Sequence, residues 1–146
     1  MNRTEFEALR DLPSKRIRQD IRWTRRTALR PLVETDGIVI ENTEDIELRM
    51  NLNFNPENGS KTVNVYVRGI GPICRLDVDG TRHGDAGRSH KHALREDRCP
   101  DRNLPDGVMA RHELSGQSMR EVFQEFCRLA LIEHDGTFQD PEQVES

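Results

Sequence analysis

At 146 residues, with 34% hydrophobic and 33% charged side chains and a net charge of −4, the chain suffices for one core and needs no disulfide or metal merely to fold. The negative balance excludes a surface that is a nucleic-acid footprint throughout. Cys74, Cys99 and Cys127, odd in number and without close spacing, exclude a secreted disulfide framework and fit a reducing cytosol.

The opening MNRTEFEALR lacks the apolar core of a signal peptide, and no apolar run approaches the ~20 residues of a membrane span. The expectation is a cytoplasmic protein with no membrane contact. Charge is segregated along the chain. Lys15 to Arg30 holds seven basic residues against Asp20, Glu34 to Glu57 holds seven acids against Arg49, and Glu133 to Ser146 holds five acids and no Lys or Arg. The basic block either faces phosphate or packs against these acidic segments, and the second assignment is the simpler one.

In chain order, Thr4 and Glu7 have the spacing of a capping box, and Phe6, Leu9 and Leu12 recur on one side until Pro13. This predicts a short amphipathic helix that must dock on something else, because two or three turns are marginal alone in water. Asp36-Gly37 reads as a turn ahead of a strand at Ile38–Ile40. Ile46, Leu48, Met50, Leu52 and Phe54 then alternate with polar residues, which predicts a half-buried antiparallel strand. The turn-rich Asn55–Gly59 leads into a second alternation at Val63, Val65 and Val67, as in a hairpin. Cys74, Leu76 and Val78 form a third. A short strand is expected at Val108–Leu114. Ser118 and Glu121 form a second capping-box pattern, after which Met119, Val122, Phe123, Phe126, Leu129 and Ala130 fall on one helical stripe ahead of Asp135-Gly136, with Cys127 as a buried thiol beside it. The predicted fold is α+β. One domain spans residues 1–146, a curved antiparallel sheet of five to six strands carries an N-terminal and a C-terminal amphipathic helix, and an acidic, solvated tail begins near residue 139.

The functional interest lies in ICRLDVDGTRHGDAGRSHKHAL, residues 73–94. Asp77-Val78-Asp79-Gly80-Thr81 matches the first motif of haloacid-dehalogenase-like phosphatases, but the remaining 65 residues lack the strand-helix alternation that fold requires. An EF-hand loop fails, with Arg82 where Gly is needed and Arg88 where Glu is needed. His83, His90, His92, Cys99 and Asp85 are acceptable metal ligands, yet their spacing fits no recurring framework, so neither a metal nor another cofactor is expected.

His90 and His92, two apart in an extended segment, point the same way. A pair of imidazoles suits general base and general acid at a phosphodiester, because an unperturbed pKa of ~6.5 populates both protonation states near neutrality. Arg75 or Lys91 would stabilise the phosphorane charge, Asp77 would orient a histidine and raise its pKa, and Lys91, Arg95 and His83 are the candidate substrate-binding residues. If Ile73–Asp79 pairs with Ser89–Leu94, Arg75 and Asp77 share a face with either His90 and His92 or Lys91 and Arg95. The site requires the first choice, with at least one imidazole ~2.6–3.2 Å from Asp77, Asp79 or Asp85. The same residues also suit a structural polar network that pins the loop, and residue types alone favour that assignment.

The helix ending in Leu12-Pro13-Ser14-Lys15, the Asp36-Gly37 turn, Arg75-Leu76-Asp77-Val78-Asp79-Gly80 followed by His83, then Gly87, the His90-Lys91-His92 strand and a final helix with Phe126-Cys127 together resemble a family of small uncharacterised bacterial proteins often encoded on mobile elements. Thr81 and Gly84 depart from that family's pattern. The layout is more loosely similar to TumE-like toxins, which are thought to act on RNA. The resemblance implies a toxin–antitoxin or phage-defence setting, with RNA as a target or a protein partner encoded nearby. Two functions follow: a metal-independent RNA-cleaving protein, or a non-enzymatic interaction module such as an antitoxin, inhibitor or defence-complex subunit.

Overall fold

The computed structural model describes residues 3–27, 30–78, 90–92 and 116–141. Its elements are α1 (Arg3–Arg10), β1 (Lys15–Ile17), β2 (Thr24–Thr27), β3 (Arg30–Ile40), β4 (Leu48–Phe54), β5 (Lys61–Val67), β6 (Gly71–Val78), β7 (His90–His92), α2 (Met119–Leu129) and β8 (Ile132–His134). Mixed helix and strand content around an antiparallel sheet agrees with the sequence. The sheet has the order β2-β3-β4-β5-β6-β7 and is not closed into a barrel.

Period-two alternation makes the core. Leu48, Met50, Leu52 and Phe54 of β4 face the same side as Val63, Val65 and Val67 of β5 and Cys74, Leu76 and Val78 of β6, and all are buried. Each such side chain contributes about 1.5–3 kcal/mol by leaving water. Leu9 of α1 and Met119, Val122, Phe123 and Phe126 of α2 join the same cluster. At the β4–β5 turn Gly59 adopts φ +76°, and its N–H reaches Asn55 O at 2.7 Å.

Three features differ from the sequence reading. First, Asp36-Gly37 is a bulge and not a turn. β3 runs through it for 11 residues, and the β3–β4 register shifts between Thr35 and Ile38. Gly37 absorbs the extra residue at φ +67°, and its N–H donates to Asn51 Oδ1 at 2.9 Å. Second, the basic block contains strands. β1 pairs in parallel with β8, a non-local partnership that no local period announces, and β2 lies at the edge of the main sheet. Third, the C-terminal helix stops at Leu129. Ala130 caps it and Leu131 takes φ +59°, which turns the chain into β8. The Ser118–Glu121 capping box is present, whereas Thr4 lies inside the first turn of α1 and not at a cap. The strand expected at Val108–Leu114 lies outside the described residues.

The basic block is answered internally over its first half. Arg16 pairs with Glu133 at 2.7 Å and Asp135 at 3.2 Å, and Arg18 pairs with Glu41 at 2.6 Å. Lys15 is buried, and its Nζ donates to the carbonyls of Leu9 (3.0 Å) and Arg10 at the C-terminal end of α1. A cation there satisfies orphan carbonyls and complements the helix dipole. Burial nevertheless pulls its pKa down to about 8.

Gln139, at the start of the stretch that the sequence predicts to be a solvated tail, is exposed and also hydrogen-bonded to the body of the protein. Its N–H donates to Ile21 O at 2.9 Å, its carbonyl accepts from Trp23 Nε1 at 2.8 Å, and Pro141 is buried. Residues 142–146 lie outside the described residues. Among the described residues no helix is long and apolar enough to cross a membrane.

Candidate functional site

The positions that alternate with the core residues form the outer face of the sheet. Register sets them in rows. Asn53, Thr62, Asp77 and His90 stand opposite one another across β4, β5, β6 and β7, and Asn51, Asn64, Arg75 and His92 form the next row. Arg49 and Tyr66 continue the face on β4 and β5. Directly opposed residues have Cα atoms about 4.5–5.5 Å apart and share a face.

The β6–β7 register decides the parity question raised by the sequence. Arg75 stands opposite His92 and Asp77 opposite His90, so the histidine positions, and not Lys91, fall on the Arg75 face. Lys91 stands opposite buried Leu76, on the other parity, and the register does not bring it to Arg75. Asp77 and β7 are described here by backbone position. The expected hydrogen bond between an imidazole and Asp77, Asp79 or Asp85 rests on side chains outside the described set, and His83, Arg95 and Cys99 also lie outside it.

Thr62 and Asn64 on β5 stand next to Asp77 and Arg75 on this face, and Asn51 and Asn53 on β4 extend it one strand further, all four passed over by the sequence reading as merely polar. The signal was present in residue type. A merely solvated face favours Lys and Glu, whereas the outward positions of β4 and β5 between Arg49 and Tyr66 are amides and a hydroxyl. All are half-buried. Asn51 is committed to the bulge through Gly37. Asn53 Oδ1 and Asn64 Oδ1 are buried, with no hydrogen-bond donor among the described residues. A buried acceptor left unpaired costs about 1–3 kcal/mol.

Cys74 and Cys127, the cysteines among the described residues, offer no nucleophile. Burial pushes the Cys74 and Cys127 thiols up to about 12, far from the thiolate form at neutral pH. Among the described residues no group of three His, Cys, Asp or Glu side chains could hold a metal ion.

No family model matches the chain, and no match was found among curated proteins or solved structures.

Proposed function

We propose that the outer sheet face at Arg75 and Asp77, continued onto β7 by His90 and His92, binds RNA and cleaves its phosphodiester without a metal ion, as a toxin-like cytoplasmic protein of a mobile-element or phage-defence setting. The observation that carries this reading is the β6–β7 register, which sets both histidine positions directly across from Arg75 and Asp77. In the reaction a neutral imidazole removes the proton of a ribose 2′-hydroxyl, whose oxygen attacks phosphorus. The protonated imidazole delivers its proton to the departing 5′-oxygen, leaving a 2′,3′-cyclic phosphate and a 5′-hydroxyl end. Arg75 supplies charge to the phosphorane, and Asp77 favours the protonated form of the histidine opposite it.

One observation favours the alternative of an interaction module that binds a protein partner encoded nearby. Arg16 and Arg18 are already paired with acids, so the first half of the basic block is not available as a phosphate-binding surface. The two readings separate on expression and cleavage. The RNA-cleaving reading predicts growth arrest on expression of the chain alone, abolished by His92→Gln and not restored by Arg75→Lys in place of Arg75→Ala. A chain that leaves growth and total RNA unchanged yet co-purifies stoichiometrically with one neighbour-encoded protein would replace it with the interaction module.

A further inference from the structure

A second candidate site lies on the core side of the sheet, beside α2 and away from the Arg75 face. Along α2, Arg120, Phe123, Gln124, Cys127 and Arg128 recur every three to four residues and form a stripe flanking the core stripe. The facing wall is Ile132 and His134 of β8 followed by residues 136–138. Together they bound a cleft of about 660 Å³, within the span of small-molecule sites.

That facing wall is held rigidly. Asp135 N–H donates to Ile17 O at 2.9 Å, Ile21 N–H to Thr137 O at 2.8 Å, and Thr137 N–H to Asp20 Oδ1 at 2.8 Å. His134 Nε2 lies 2.9 Å from Gln19 O. A carbonyl only accepts, so Nε2 carries the hydrogen and Nδ1 is the acceptor of the neutral ring. A Cβ on Gly136 would sit 2.4 Å from Gln19 O, so the two backbones touch and the position admits no side chain. A site with such a wall loses little conformational freedom when a ligand enters.

The lining carries two formal charges, both positive, in a chain of net charge −4. Arg128 is answered by Glu125, with Nε 2.9 Å from Oε2. Arg120 is answered by no carboxylate among the described residues. Its Nη2 donates to Phe138 O at 2.7 Å, and its guanidinium carbon lies 5.4 Å from the centroid of the Phe138 ring. These contacts fix the fork in one pose with its charge unneutralised and further N–H donors to spare, the arrangement that recognises carboxylate or phosphate. Behind it Phe123, Ile132 and Phe138 supply an apolar floor, and the Phe123 and Phe138 ring centroids are 5.0 Å apart.

We propose that this cleft binds a small organic anion, a carboxylate or phosphate on an aromatic body, with the anionic group on Arg120 and the body against the Phe123–Ile132–Phe138 floor. The site is independent of any RNA chemistry at the outer face.

The test is calorimetric titration of the full chain with three probes: adenosine monophosphate, benzoate and inorganic phosphate. The expected result is a Kd below ~1 mM for adenosine monophosphate or benzoate and weaker binding of inorganic phosphate, which lacks the aromatic body. Arg120→Gln should weaken binding by at least about tenfold. Gln124→Trp, at an exposed position on the cleft one turn along α2 from Arg120, fills the space and should abolish binding even if Arg120→Gln is poorly folded. Arg49→Gln, on the outer face of the sheet, should leave it unchanged. Tighter binding of the nucleotide assigns the natural anion to phosphates, and tighter binding of benzoate assigns it to carboxylates. Absence of binding for all three probes up to about 5 mM, or binding untouched by Gln124→Trp, would overturn the proposal.

Discussion

Lys15 is a charged group that the fold buries at an electrostatic cost, and replacing it exposes that cost as a pH dependence. Burial lowers its pKa from 10.5 to about 8. The unfolded chain therefore holds this proton across a window in which the folded chain has lost it, and stability rises with pH through that window. At about 1.4 kcal/mol per pH unit, the cost is about 3 kcal/mol, fully present below pH 8 and gone above pH 10.5. Wild type by itself does not read this cleanly. The buried Cys74 and Cys127 thiols, raised from 9.0 to about 12, act in the opposite sense, because the unfolded chain sheds their protons from pH 9 upward and stability falls. Lys15→Met keeps both thiols and removes the amine, so the difference between the two proteins carries the Lys15 burial cost, with a smaller contribution from the thiols, whose protons the Lys15 charge helps to release. Loss of the bonds to Leu9 O and Arg10 O adds an offset of about 1 kcal/mol that does not vary with pH. Urea denaturation of both proteins between pH 7 and 10.5 should show wild type gaining about 3 kcal/mol on Lys15→Met as pH rises. A difference that stays flat, or runs the other way, would refute the assignment of Lys15 as a buried amine.

Three local substitutions test the architecture around α2. Leu131→Gly removes a side chain that is 44% exposed from a backbone at φ +59°, and should stabilise by about 1 kcal/mol in thermal unfolding. Gly136→Ala forces a Cβ against Gln19 O and should cost about 1–3 kcal/mol, seen as a lower denaturation midpoint with an unchanged slope. Ser118→Ala deletes the hydroxyl that accepts from Glu121 N–H at 3.2 Å and should cost about 1 kcal/mol by the same measurement.

Alternation made the centre of the sheet legible. Leu48 through Phe54 and Val63 through Val67 announce a half-buried sheet because one face meets the core and the other does not. The parity of His90 and His92 could be posed from sequence as a choice between two faces, but register is a relation between strands and only the pairing answers it. β1 and β8 escaped because their parallel pairing joins residues 117 positions apart, and one or two buried residues per strand leave no period. Asp36-Gly37 misled because the backbone conformation that closes a turn also accommodates a bulge, and Asn51, far along the chain, makes the difference. The Arg120 cleft had no motif, since its two walls meet only once the chain reverses at Leu131.

The proposed reaction is cleavage of RNA through its own 2′-hydroxyl at the face bearing Arg75, Asp77, His90 and His92. A DNA oligonucleotide carrying a single internal ribonucleotide, incubated with the purified chain in excess EDTA, tests it in one gel and one end-group analysis. The expected result is one cut, immediately 3′ of the ribose, leaving a 2′,3′-cyclic phosphate, with His90→Ala and His92→Ala each lowering the rate by about 10²-fold or more. An oligonucleotide left intact, cut at deoxyribose positions, or cut equally well by the double variant would contradict it.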